Sequence, residues 1–237
     1  MLRRTPIFIV ASPRPRVGKT LLARALVEYL YGQRRPVSAF DINPDNFALL
    51  ERLPPFTAAA SIHDTRGEMA LFDQLVMPDL VPKVIDLGHA QFDRFFTVMQ
   101  AINFCAETRR KAIVPMVLFV ADPDQRARQG YAMLRDRFPD LPLIPVLNEA
   151  VPVVARYGGN FPPTPRGGSP VGVPALTPAL RGVIDRLNFT FIGYLSKTTD
   201  PTAELYQWAW RLFLIFRELE VRLLLGELKP QPLRHSA

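Results

Sequence analysis

Four residues near the start of the chain, Val17-Gly18-Lys19-Thr20, are of the types that hold a phosphate. Glycine lets backbone approach an anion, a lysine ammonium reaches β- and γ-phosphate oxygens, and a threonine hydroxyl can bind Mg²⁺. The tetrad follows a short apolar run, Ile7–Ala11. It precedes Leu21, Leu22, Ala25, Leu26, Tyr29 and Leu30, which recur at helical spacing. A strand–loop–helix order leaves unpaired N–H groups and the positive end of the helix dipole facing the loop. Two carboxylates join this candidate site. Asp41 closes the apolar run "VSAFD", and Asp86 closes "KVIDL" just before Gly88. If both runs are parallel strands, their carboxyl ends border the ligand crevice. Asp86 then has the form of a Mg²⁺-holding aspartate. Asp41 has a second reading as a turn or cap residue, which Asn43-Pro44 supports.

These residues need a scaffold of alternating strands and helices. Strands are expected at 7–11, 37–41, 83–87, 116–120, 143–148 and 191–195. The runs are short and apolar on both faces, as in central parallel strands covered by helices. Helices are expected after Thr20, over Phe92, Phe95, Phe96, Met99 and Ile102, and within 122–138 behind a capping Asp. The expected fold is α/β: a doubly wound, mostly parallel sheet with helices on both faces, in one domain spanning 1–237. The proline- and glycine-rich stretch 152–178 reads as an insertion or mobile loop without regular structure. Residues 202–228 read as a long C-terminal helix that docks on the sheet. Its aromatic and leucine-rich surface with Arg211, Arg217 and Arg222 offers a partner or membrane interface as the other reading.

Composition narrows the classes. Apolar residues make up 48% and charged residues 22%, the balance of a core-forming protein, and no apolar run reaches membrane-span length. The run at 7–11 is too short for the core of a secretion signal, so a cytoplasmic location is expected. One cysteine, Cys105, excludes an intramolecular disulfide and reads as a structural thiol. His63 and His89 have no His/Cys cluster around them to bind a transition metal. The net charge of +7 permits nonspecific DNA contact, although no run of arginines exceeds two.

"RPRVGKT", "DINPDN" and "VIDLG" together resemble the ParA/MinD family of deviant-Walker P-loop ATPases, and within it the conjugal-transfer proteins of TraL type. The resemblance covers 7–148. It implies ATP and Mg²⁺ as cofactors, with Arg14, Arg16, Val17, Gly18, Lys19, Thr20 and Asn148 binding nucleotide. Thr20, Asp41 and Asp86 would serve the metal, and Lys19, Asp41 and Asn43 the chemistry. It also implies a nucleotide-linked homodimer, a protein partner of unknown identity, and positioning of DNA or other cargo. Asn148, at the end of "LIPVLN", matches a family position near the adenine base and is otherwise a common turn residue.

The departures from the family pattern carry chemistry too. The lysine that crosses the family dimer falls on Arg14, whose planar fork reaches differently. Paired glycines become Pro15 and Arg16, and the aspartate associated with the attacking water falls on Asn43, a neutral amide. Nucleotide binding with weak or partner-dependent hydrolysis is therefore expected. Two other readings stay open: an inactive pseudo-ATPase adaptor, and a dethiobiotin-synthetase-like ligase, which needs lysines near the phosphates beyond Lys19.

Overall fold

The computed structural model describes residues 4–151 and 158–228, with side chains to 223 in the last helix. Among the described residues seven strands form one sheet: β1 (Thr5–Ala11), β2 (Ser38–Ile42), β3 (Thr57–Ala59), β4 (Lys83–Leu87), β5 (Ile113–Val120), β6 (Leu143–Asn148) and β7 (Val171–Val173). All pair in parallel, in the order β3-β2-β4-β1-β5-β6-β7. The first four strands build one side of the sheet, and the chain then crosses to extend the other side of β1. That reversal puts the ligand crevice at the carboxyl ends of β1, β2 and β4. Register sets Asp41 directly beside Asp86.

Period-two alternation divides the core between two faces. Phe8, Val10, Val84, Leu118 and Ile144 face α1 (Lys19–Gly32), α2 (Ala48–Arg52) and the C-terminal helices. Ile7, Ile9, Ile85, Val117 and Phe119 face α3 (Thr65–Leu75), α4 (Phe92–Ala101), α5 (Phe104–Arg110) and α6 (Gln125–Arg137). Strands apolar on both faces are explained by this double cover. Asp64 starts α3 by accepting from Gly67 N at 2.7 Å, and Asp124 starts α6 by accepting from Arg126 N at 2.7 Å.

The expected strand at 191–195 is a helix. Among the described residues three helices follow β7: α7 (Pro178–Ile184), α8 (Phe191–Lys197) and α9 (Glu204–Leu228). Thr190 caps α8, accepting from Gly193 N at 3.1 Å, and Phe191 is the helix's fully buried anchor. A five-residue apolar run has no periodicity long enough to separate strand from helix, and here the cap decided.

The stretch 152–178 also differs from expectation. Residues 152–157 lie outside the described residues, but the remainder is tied down. Val171–Val173 adds β7 to the edge of β6, and Phe161 is fully buried against Phe119 and Tyr131. Thr164 Oγ1 donates to the Leu143 carbonyl at 3.0 Å, and the Trp208 indole donates to the Pro174 carbonyl at 2.7 Å.

The helix α9 docks through Leu205, Trp208, Ala209, Leu212, Phe216, Leu219 and Leu223, all buried. Burial of each large apolar side chain contributes roughly 2 kcal/mol. Tyr29 of α1 donates to Glu220 at 2.8 Å, and Arg35 pairs with the same carboxylate. No helix among the described residues is long and apolar enough to cross a membrane.

A buried ion pair joins α1 to the C-terminal segment. Arg24 and Glu28 are 2% and 3% exposed and meet at 3.2 Å. Arg24 also donates to the carbonyls of Ile184 (2.7 Å) and Phe189, while Glu28 accepts from Ile192 N at 3.1 Å. Removing one partner of such a pair strands a buried charge. Glu28→Ala is expected to cost about 3 kcal/mol in urea unfolding, by the behaviour of broken buried pairs. Glu28→Gln, which keeps an acceptor for Arg24, should cost less.

Candidate functional site

The loop Ser12–Gly18 leaves the end of β1 and turns into α1 without a side-chain cap. Two left-handed residues make the turn: Arg16 at φ 59° and Gly18 at φ 97°. For Gly18 the conformation is free of steric cost. For Arg16 it costs on the order of 1 kcal/mol, so the surrounding packing must impose it. Pro13 rests against Gly130 of α6, where an added Cβ would come within 3.0 Å of the proline ring and 3.2 Å of Phe92. Asn148 holds the other side. Its Nδ2 donates to the Val17 carbonyl at 2.8 Å and its Oδ1 accepts from Ala150 N at 3.0 Å.

Lys19 is 7% exposed, and its ammonium donates to the Arg14 carbonyl at 2.7 Å. Burial lowers its pKa to about 8, with Asp86 pulling the other way. The Lys19 ammonium thus stands between a backbone carbonyl and the carboxylate of Asp86. Thr20 Oγ1 donates to Asp86 Oδ2 at 2.6 Å, joining the first turn of α1 to the end of β4. Asp86 has no exposed surface. Burial pushes its pKa up to about 6; Asp41 adds to the rise, and the hydrogen bond from Thr20 opposes it.

Asn43 bridges the two aspartates. Its Nδ2 lies 2.6 Å from Asp41 Oδ1 and 3.3 Å from Asp86 Oδ2. The second oxygen of Asp41 accepts from Leu49 N at 2.9 Å and Leu50 N at 3.2 Å. Asp41 thus anchors the start of α2, and its pKa is raised by burial, with the hydrogen bond from Asn43 opposing. The cap reading of Asp41 describes these contacts directly.

Asp86 Oδ1 differs from these oxygens: it is buried with no hydrogen-bond partner. An unpaired buried carboxylate oxygen beside a hydroxyl is a donor set that a hard cation with oxygen ligands satisfies. Among the described residues no group of three or more His, Cys, Asp or Glu side chains is placed to hold a metal. The residues present fit Mg²⁺, which takes one or two protein oxygens and completes its shell with phosphates and water.

A cleft of about 510 Å³ opens over Gly18, Lys19 and Thr20. Pro15, Arg16, Asn43 and His89 also line it, and it runs on to Arg24, Arg52, Arg181 and Asp185. Burial and the nearby charges of Lys19 and Arg126 lower the His89 pKa. The structure therefore gathers Arg16, Gly18, Lys19, Thr20, Asp41, Asn43 and Asp86 at one end of the sheet. Three predicted residues lie apart from these, and the first, Val17, has its side chain buried in the core. The Arg14 side chain lies 3.9 Å from Asp122 and 3.7 Å from Asp124, at the mouth of the β5–α6 connection. Asn148 borders a separate void of about 10 Å³, walled by Leu21, Val173, Trp208 and Leu212. Cys105 is half-buried, and burial raises its pKa to about 11, consistent with an unreactive thiol. The His63 ring lies 3.4 Å from the Gln91 amide nitrogen.

The sequence reading missed Arg24, Arg52, Arg181 and Asp185. Arg24 follows Lys19 on the predicted helix and was open to detection, but Arg52, Arg181 and Asp185 share no motif with the loop. A scan against protein-family models and a search of curated proteins return no match to this chain.

The buried Asp86 makes stability depend on pH. A carboxyl with a raised folded-state pKa keeps its proton longer in the folded protein than in the unfolded one. Its contribution therefore falls as pH rises from about 3.8 to about 6, and the full penalty applies above that. Asp86→Asn keeps an acceptor for Thr20 and removes the charge. Thermal unfolding should show a Tm gain of several degrees at pH 7.5, shrinking to nil near pH 3. A pH-independent gain would contradict this origin.

Proposed function

We propose that this protein binds ATP with Mg²⁺ at the loop Ser12–Gly18 and acts as a nucleotide-dependent switch of ParA/MinD type. The observation that carries the reading is the 2.6 Å hydrogen bond from Thr20 to Asp86, two residues 66 positions apart in sequence. It brings the hydroxyl of the "GKT" triplet and the strand-end carboxylate to one point beside the Lys19 ammonium. Thr20 and Asp86 would hold Mg²⁺ together with phosphate oxygens and water, and the ion would supply neutralisation of phosphate charge. Lys19 and Arg16 would meet the phosphates, with the N–H groups at the start of α1. Asn148 supports the loop from behind, and its second N–H and second lone pair are the ones left for a base.

Slow hydrolysis follows from Asn43. Its amide is engaged by two carboxylates and cannot accept a proton from an attacking water. A third carboxylate at that position would face both Asp41 and Asp86 at hydrogen-bonding distance, so the neutral amide has an electrostatic reason to be there. Partner control or a purely structural output suits such a site.

Equilibrium titration with a fluorescent ATP analogue and Mg²⁺ tests the reading. The native chain should bind saturably, and Lys19→Ala should bind at least a hundredfold more weakly. Lack of binding by the native chain would sink the nucleotide reading and leave the adaptor reading. A dimer in which Arg14 crosses to the second nucleotide requires that side chain to leave Asp122 and Asp124. Arg14→Ala should then remain monomeric with ATP in sedimentation velocity while the native chain dimerises, and equal dimerisation of both proteins would refute the crossing role.

A further inference from the structure

Beyond the residues of the phosphate loop, the cleft is also lined by Arg24, Arg52 and Arg181, with Asp45 and Asp185 as its carboxylates. Arg24 lies five residues beyond Lys19, about 7.5 Å along α1 at the rise of a helix. Arg24 is neutralised by Glu28 and committed to backbone carbonyls. Arg52 and Arg181 are different. Arg52, at the end of α2, is 20% exposed, and Arg181, in α7, is 49% exposed. Both line the cleft and share a single carboxylate, that of Asp185. Arg52 Nη2 and Arg181 Nε each lie 3.9 Å from an Asp185 oxygen, beyond hydrogen-bond distance. The firm contact is from Arg52 Nη1 to the Asp185 backbone carbonyl, at 3.0 Å. Two guanidinium groups against one loosely placed carboxylate leave one positive charge over. Their side-chain carboxylate contacts are weak ones that a better-placed anion can replace.

We propose that this end of the cleft is a second anion subsite, in which Arg52 and Arg181 take a carboxylate-bearing ligand beside the phosphate loop. Guanidinium groups bind carboxylates through paired N–H donors, and Asp185 is the internal group that an incoming carboxylate displaces. The ligand is either a small organic acid or an acidic side chain of a partner protein. Both present the same chemistry, and the subsite stands independently of the nucleotide reading.

Isothermal titration calorimetry of the full chain with succinate, and in parallel with a capped tetraglutamate peptide, tests the assignment. At least one probe should bind saturably, tenfold or more weakly in Arg181→Gln and in Arg52→Gln, and with unchanged affinity in Lys19→Ala. Asp185→Asn should tighten binding severalfold, because the competing carboxylate is gone. A poorly folded variant gives no such gain. Succinate binding as tightly as the peptide assigns a small acid, and preference for the peptide assigns a protein partner. Equal affinity in the native and Arg181→Gln proteins, loss in Lys19→Ala, or no binding of either probe overturns the proposal. If the native chain binds no ATP while arginine-dependent succinate binding persists, the nucleotide reading fails and the subsite remains.

Discussion

The buried carboxylate of Asp86 is the constraint around which the rest of the site is arranged. A charge with no exposed surface carries a large desolvation penalty unless neighbours compensate it. Thr20 supplies one hydrogen bond, Asn43 a second, and Lys19 an opposite charge. Thr20 and Lys19 open α1 and Asn43 follows β2, so satisfying one carboxylate draws together the start of α1, the end of β2 and the end of β4. The compensation is incomplete at Oδ1. Functional sites commonly keep such a deficit, which a stability optimum would remove.

The loop facing this carboxylate solves a backbone problem without the usual glycines. Pro13 and Pro15 limit the unfolded chain's freedom, and Gly18 takes the left-handed position next to the helix. Arg16 is held at positive φ between them. Two distant residues make that possible: Gly130 leaves space for Pro13, and Asn148 grips the Val17 carbonyl. Rigidity in this loop therefore comes from α6 and β6.

The helices after β7 cover one face of the sheet. Trp208 and Leu212 close the void beside Asn148, and the Trp208 indole ties the chain after β7 to α9. The segment between α7 and α8 is fastened to α1 through Arg24 and Glu28, which places Arg181 and Asp185 along the cleft wall. One buried pair thus sets the position of the far end of the cleft relative to the loop.

Local sequence determined the parts whose physical cause is local. Apolar runs marked β1, β2, β4, β5 and β6, and the order of strand, "VGKT" and amphipathic helix marked the candidate site. Asp41 and Asp86 were legible as strand-end carboxylates because parallel strands expose their carboxyl ends on one edge. Three-residue β3 and β7 carry too few positions for a period, and the apolar run 191–195, read as a strand, is the start of the helix Phe191–Lys197 that Thr190 caps. Tertiary structure alone decided where side chains spent their hydrogen bonds. It set Asp41 on the start of α2, Arg14 near Asp122 and Asp124, and Asn148 on the Val17 carbonyl. It also brought Arg52 and Arg181 to one carboxylate from elements 129 positions apart. Such pairings are set by sheet order and helix packing, which join residues without regard to their distance along the chain.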